Sequence, residues 1–310
     1  MKKQIPLAHR HDRNRTSQIR ACLHRIYVVS FTCIQETKVV CIEGKRFPNT
    51  GKRWLHRLFR DGLLVSLLVL AGCATAPKNT LTQISTIDAL LVGAYDGQMT
   101  LAELSRHGNF GLGTFDALDG EMIALDGEIW QAKSDGTLHR PEPDETTPFA
   151  ALINFDADQT ATLTEPLTDE ALRAEIDKLA PNQNLFLAVR ADGSFSHMKV
   201  RIIPRQNKPY PPLAEAAKVQ PVYQYTHVTG SIVGFRCPAF VKGINVPSYH
   251  LHFISKDRKI GGHVLDFTMD SAELSLDSCN RFNLILPDAE HFGSLDLTQD
   301  RSEELEKVEK

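Results

Sequence analysis

Apolar positions along this chain come in short runs separated by glycine, proline and acidic residues, with few long helical stripes. Brief apolar blocks and period-two alternation mark strands, and three- and four-residue spacing marks helices. Residues 87–91 read as a short helix or buried segment. Thr100-Leu101-Ala102-Glu103 has the form of a capping box, which opens a short helix closing at Gly108. Between Gly111 and Trp130, Gly113, Gly120 and Gly127 punctuate apolar pairs, a pattern of strands and tight turns, and residues 131–136 hold a further turn. An acidic proline-bearing loop at 141–148 leads into a buried strand at 149–155. Thr168 caps a second helix reaching about Leu179, with Asp169 and Glu170 in its first turn.

Residues 185–190 and 197–203 predict two strands joined by a turn at Asp192-Gly193. The stiff stretch Lys208-Pro209-Tyr210-Pro211-Pro212 marks a boundary between two halves. Further strands are expected at 223–228, 230–235, 249–254, 259–269, 272–275 and 282–285, followed by a charged tail at 303–310. No internal repeat is present. The pattern predicts an α+β fold: a two-part mixed or antiparallel β-sheet domain with few helices.

The first 73 residues differ from the rest. They carry fourteen Lys and Arg against four Asp and Glu, whereas the remainder carries twenty-one against thirty-four. An acidic body lacks the basic face that nucleic acid requires. Lys52, Arg53, Arg57 and Arg60 precede a ten-residue apolar run at 62–71 that ends in Leu70-Ala71-Gly72-Cys73. A basic segment, a short apolar segment and small residues form an export signal. The run is too short for a permanent span, and its end resembles a bacterial lipobox, with Cys73 lipidated. Residues 1–50 then either precede the true start or form a disordered extension. The expected organisation is a leader at 1–73, a tether at 74–84, a β-rich half at 85–207 and a second half at 208–310. Cys237 and Cys279 either pair in an oxidising compartment or remain two buried thiols.

The most informative chemistry lies in Tyr249-His250-Leu251-His252-Phe253 and Gly261-Gly262-His263. Residues two apart in a strand share a face, so His250 and His252 point together. A hairpin centred between Lys256 and Asp257 sets His263 opposite His250, with Cβ atoms about 4.5–5.5 Å apart. Three imidazoles with an open position suit a catalytic zinc ion. A polar sheet face of hydrogen-bonded histidines fits the same residues. A cupin-like metal oxygenase also places His-x-His on a strand, and its further carboxylate ligand would have to be Asp257. The helical His-Glu-x-x-His signature of zinc hydrolases is absent.

Several segments in order resemble the acetolactate decarboxylase family. They include Ser85-Thr86-Ile87-Asp88-Ala89-Leu90-Leu91, Gly111-Leu112-Gly113-Thr114-Phe115, Leu118-Asp119-Gly120-Glu121-Met122, Thr147-Pro148-Phe149-Ala150, residues 205–212, and Asn245-Val246-Pro247-Ser248 running into the histidine segment. The resemblance implies a zinc-dependent decarboxylase that converts 2-acetolactate to acetoin on the route to butanediol, and a homodimer. It implies His250, His252 and His263 as zinc ligands and Glu121, Arg201 and Glu309 as catalytic residues. Arg201 would hold the substrate carboxylate, Glu121 or Glu309 would deliver the proton, and Thr114 would line the site. Glu303, Glu304 and Glu306 compete with Glu309 for its place. Taken alone, Glu121 reads equally as an exposed hairpin residue, Arg201 as a solvent-facing strand residue and Glu309 as part of a solvated charge run. Outside the family, the chain reads as a periplasmic lipoprotein that binds a metal or small ligand without chemistry.

Overall fold

The computed structural model describes residues 79–288 and 292–309. The proposed export signal, the lipobox at Cys73 and residues 1–50 lie outside the described residues. Strands in chain order are β1 (Thr80–Ile84), β2 (Met99–Thr100), β3 (Phe110–Thr114), β4 (Glu121–Leu125), β5 (Glu128–Ala132), β6 (Leu138–His139), β7 (Thr146–Thr147), β8 (Ala150–Ile153), β9 (Gln159–Leu163) and β10 (Leu167–Thr168). The long strands follow: β11 (Phe186–Arg201), β12 (Val222–Cys237), β13 (Ser248–Ser255), β14 (Gly261–Cys279), and then the short β15 (Arg281–Ile285). The helices are α1 (Ile87–Leu91), α2 (Leu101–Leu104), α3 (Asp169–Leu179), α4 (Leu213–Ala216) and α5 (Ser302–Glu309). The chain is therefore mostly sheet with few helices, as expected. Helices α1, α2 and α3 each begin after a threonine, Thr86, Thr100 or Thr168, whose hydroxyl accepts from a backbone N–H in the first turn.

One sheet has the order β15-β1-β8-β3-β4-β5-β6, and a second runs β10-β14-β11-β12-β13, with β9 added to β14. Strand β13 also pairs with the start of β14, so β11 to β14 close on themselves at that end. Apolar side chains of both sheets meet in one core, with Leu81, Phe110, Leu112 and Ile123 from the first and Phe186, Val233, Phe235 and Ile254 from the second. The opposite face of the second sheet packs under α3 through Leu172 and Ile176. Helices α1, α4 and α5 gather in a third cluster containing Ile87, Leu90, Leu118, Phe149, Leu213 and Val308.

Four expectations are corrected. Residues 80–84, assigned to a tether, form β1 between β8 and β15. Buried Gln83 breaks the apolar pattern there. Its amide donates to Ser85 O and Ile244 O and accepts from Asn245 Nδ2, which satisfies it in the interior. No turn forms at Asp192-Gly193: β11 runs through it, with Gly193 between Gly230 and Ala272. A Cβ on Gly193 would lie 2.2 Å from Ser271 O, so this glycine serves close strand approach. The expected halves at 85–207 and 208–310 share both sheets, because β11 pairs with β12 and β14 in the second sheet while β15 lies in the first sheet with β3, β4 and β8. The fourth correction, in the histidine hairpin, concerns the site.

Cys237 and Cys279 are both free and buried. Cys279 pairs with Phe186 on β11, and Cys237 sits one step beyond the Leu187–Arg236 pair on the other side of that strand. One strand between them sets their Cα atoms roughly 10 Å apart, outside disulfide reach.

Candidate active site

Strand β13 places Leu251 and Phe253 in the apolar cluster under α3, so His250 and His252 face the other sheet. The β13–β14 hairpin pairs His252 with His263 and Ile254 with Gly261. It is thus centred between Asp257 and Arg258, one residue later than expected, and His263 lies opposite His252, not His250. Within the turn the Ser255 hydroxyl donates to Asp257 and accepts from the backbone N–H groups of Lys259 and Ile260, which fixes the longer loop. Moving the centre by a whole residue preserves the face, and the three imidazoles still converge. Asp257 is exposed in that turn, away from the histidines, which removes the carboxylate ligand a cupin-like site would need.

His263 has neighbours on both sides, His252 on β13 and Arg201 on β11. These three side chains form one row across three strands, with His250 two residues along. All four are buried, Arg201 to 3% exposure. The ring centroids are 5.0–5.4 Å apart, and one ring nitrogen from each histidine lies within 4.8 Å of the other two.

The first sheet faces this row with a second one. Thr114 on β3 pairs with Glu121 on β4. Between them Gly120, at φ +88°, approaches Ala132 O so closely that a Cβ would clash. The Thr114 hydroxyl donates 2.7 Å to Gly120 O, and Thr147 donates to Thr114 O. Glu121 is consequently aimed inward: its Oε1 accepts from Arg201 Nη1 at 3.0 Å and from the Ile203 N–H at 3.3 Å. Its Oε2 lies 3.6 Å from His252 Nε2.

The C-terminal helix supplies the last carboxylate. In α5, Leu305, Val308 and Glu309 fall on one helical face, where the two apolar residues anchor the helix against α1 and α4. Glu309 therefore turns inward, while Glu303 and Glu306 remain exposed. Its Oε1 lies 3.5 Å from Arg201 Nη2, and its Oε2 lies 3.8 Å from both His250 Nε2 and His263 Nε2.

Burial governs the protonation states here. Loss of hydration holds His250 down to about 3 and His252 and His263 well below their ordinary value, with the Arg201 charge adding to the effect. All three are neutral, the form that ligates a metal. Burial pushes Glu121 up to about 7, against the opposing pull of Arg201, and it raises Glu309 as well. His252 Nδ1 lies 2.8 Å from Met122 O. A carbonyl only accepts, so Nδ1 carries the proton and Nε2 keeps a lone pair. That Nε2, with His250 Nδ1 and His263 Nδ1, is buried without a hydrogen-bond partner. Neutral imidazoles that each bring a ring nitrogen within 4.8 Å of the other two, and that leave buried nitrogens without hydrogen bonds, suit a divalent cation. This also disfavours the reading as hydrogen-bonded histidines on a polar face.

The cavity they line is small, about 40 Å³, and is bounded elsewhere by Thr114, Leu118, Phe149, Leu213 and Val308. Every site residue expected from the sequence thus meets in one place: Thr114, Glu121, Arg201, His250, His252, His263 and Glu309. The Met122 carbonyl and the apolar wall were not expected. Met122 directly follows Glu121, but a backbone group leaves no mark in residue type.

Comparison with known proteins places the chain in a family. Residues 81–299 match the alpha-acetolactate decarboxylase family model. The alpha-acetolactate decarboxylase of Methanosarcina mazei is 48% identical over 233 residues, which is 75% of this chain and 81% of that protein. The Bacillus subtilis protein of the same name is 39% identical across 77% of this chain and 94% of its own length. The crystal structure of alpha-acetolactate decarboxylase from Bacillus subtilis strain 168 superposes with a TM-score of 0.73 at 38% identity, covering 74% of this chain and 99% of that one. With a family model matching most of the chain and relatives this similar in sequence and fold, the chain belongs to the alpha-acetolactate decarboxylase family.

Proposed function

We propose that the protein decarboxylates 2-acetolactate to acetoin at a zinc ion held by His250, His252 and His263. One observation carries the reading: three buried, neutral imidazoles, each keeping one ring nitrogen free of hydrogen bonds, cluster beside a buried arginine and two carboxyl groups. Nitrogen ligands from three histidines, with room for substrate, form the usual catalytic zinc set. When bound, zinc supplies Lewis acidity toward the substrate's ketone and hydroxyl oxygens.

Arg201 provides the fork for the substrate carboxylate. Its position beside His263 sets the breaking bond close to the ligand row. As carbon dioxide leaves, the electron pair of the broken bond remains on C2 and delocalises into the adjacent ketone. A proton must then reach carbon. Glu121 and Glu309, whose burial favours the protonated acid, both border the cavity and are the available donors. Net uptake of that proton balances the loss of carbon dioxide from the carboxylate. The test is carbon dioxide release from racemic 2-acetolactate by purified protein. Activity should vanish with a chelator and return with zinc; activity that persists in fully metal-free protein would exclude this mechanism.

Acetoin formed here would feed reduction to butanediol. The leader motif supports export and anchoring through lipidated Cys73, and Cys73→Ser should release the protein from membranes. Family membership supports a homodimer, which light scattering would measure.

A further inference from the structure

We propose that Leu118, Phe149, Leu213 and Val308 form a pocket for the alkyl group on C2 of the substrate, with Leu118 setting the largest group accepted. The inference rests on the decarboxylase reading given above.

The cavity wall is divided. Glu121, Arg201, Glu309 and the three histidines occupy one part, in mutual contact. The rest of the lining is mainly apolar, and Ile87, Leu90, Leu118, Phe149, Leu213 and Val308 belong to one packed cluster. C2 of a 2-hydroxy-3-keto acid is tetrahedral. Three of its substituents bear oxygen: the carboxylate, the hydroxyl and the acyl group. If those three meet the polar part, the fourth bond must point away from them, toward the apolar part. The alkyl group is therefore fixed in place by the geometry of carbon and by the division of the wall.

Leu118 is fixed in that wall by its backbone. It and Ala117 both adopt left-handed backbone conformations, at φ +60° and +57°. Two adjacent non-glycine residues rarely do so, and such backbone persists where its surroundings determine it. Four hydrogen bonds do this here. Ala117 N donates to Tyr95 O, Gln206 N to Ala117 O, Leu118 N to Phe115 O and Gly120 N to Leu118 O. The segment joins β3 to β4, so the same short connection that aims Glu121 also sets Leu118 into the cavity. Its side chain is 2% exposed. An alanine there keeps the same backbone requirement, since it also has a Cβ, and removes only the wall.

The experiment compares kcat/KM for 2-acetolactate and for its 2-propyl homologue, in wild type, Leu118→Ala and Leu118→Phe. Two methylenes in an apolar pocket are worth about tenfold or more in discrimination. Leu118→Ala should raise the propyl-to-methyl ratio by at least about tenfold, and Leu118→Phe should lower it. The corresponding reduced dihydroxy acids, which keep the carboxylate and both oxygens but cannot lose carbon dioxide, should show the same ratios in Kd by calorimetry. If Leu118→Ala fails to fold, Val308→Ala makes the same comparison with a smaller deletion. Wild type inactive on both substrates would remove the decarboxylase reading itself. Active wild type with ratios unchanged within about twofold in every folded variant would overturn the pocket and leave that reading intact.

Discussion

The ring of His252 on the second sheet is oriented by the backbone carbonyl of Met122 on the first, across 2.8 Å. Met122 follows Glu121, so one strand end both orients an imidazole of the histidine cluster and presents a carboxyl group to the same cavity. The two sheets must dock correctly for either to work. His252→Ala should therefore abolish zinc retention and lower turnover by about 100-fold or more, since loss of an outer partner alone typically costs 10- to 100-fold. Metal analysis of the dialysed variant, beside an acetoin assay, checks both. Full retention of zinc and activity would remove His252 from the site.

Arg201 has a different expected signature. It is buried between Glu121 and Glu309, and its Nε has no partner. Arg201→Ala leaves two carboxyl groups buried without a counter-charge. Such losses cost about 3–5 kcal/mol, eased here by carboxyl protonation. The variant should keep its zinc at saturating metal, lose most turnover and melt at lower temperature. Arg201→Lys should recover stability more than rate, because an ammonium lacks the bidentate fork. Zinc loss with normal turnover per bound metal would contradict a role in substrate binding.

Glu121 predicts a pH dependence of stability in the metal-free protein. Its folded pKa is about 7 against an ordinary 4.5. Between those values the folded state holds a proton that the unfolded chain has released. Stability therefore falls as pH rises from about 4.5 to 7, by about 3 kcal/mol in total. The three imidazoles act in the opposite sense: neutral in the fold, they cost stability as pH falls below 6.5. Denaturant titrations of wild type and Glu121→Gln at each pH largely cancel the histidines. The difference should grow in favour of the variant as pH rises, and a flat difference would place Glu121 outside the buried network.

Cys237 and Cys279 should stay reduced even under oxidising conditions. Burial pushes Cys237 up to about 12 and raises Cys279 too, so neither is a ready nucleophile. Peptide mapping after alkylation without reductant should find both thiols modified in unfolded protein and neither in native protein. A Cys237–Cys279 cross-linked peptide would contradict the strand register.

Much of the molecule was legible before any coordinates. The threonine caps at Thr100 and Thr168, the short strands around Gly113 and Gly120, and the shared face of His250 and His252 follow from local rules of backbone and side-chain direction. Other features were not legible because their reasons are distant in sequence. Gln83 reads as a tether residue until Ile244 and Asn245, more than 150 positions away, satisfy its amide. Gly193 reads as a turn until Ser271 approaches its backbone. Glu309 reads as one of several tail glutamates until Leu305 and Val308 choose the inward helix face.

By itself, the sequence determined the family, the sheet-rich fold and the shared face of His250 and His252, because ordered motifs and strand parity are local properties of the chain. Tertiary structure alone decided that His263 stands between His252 and Arg201, that Met122 orients a ring, and that an apolar wall containing Leu118 closes the cavity. Those relations depend on register between strands and on docking of two sheets, where a backbone carbonyl or a buried leucine matters through position and carries no signature in residue type.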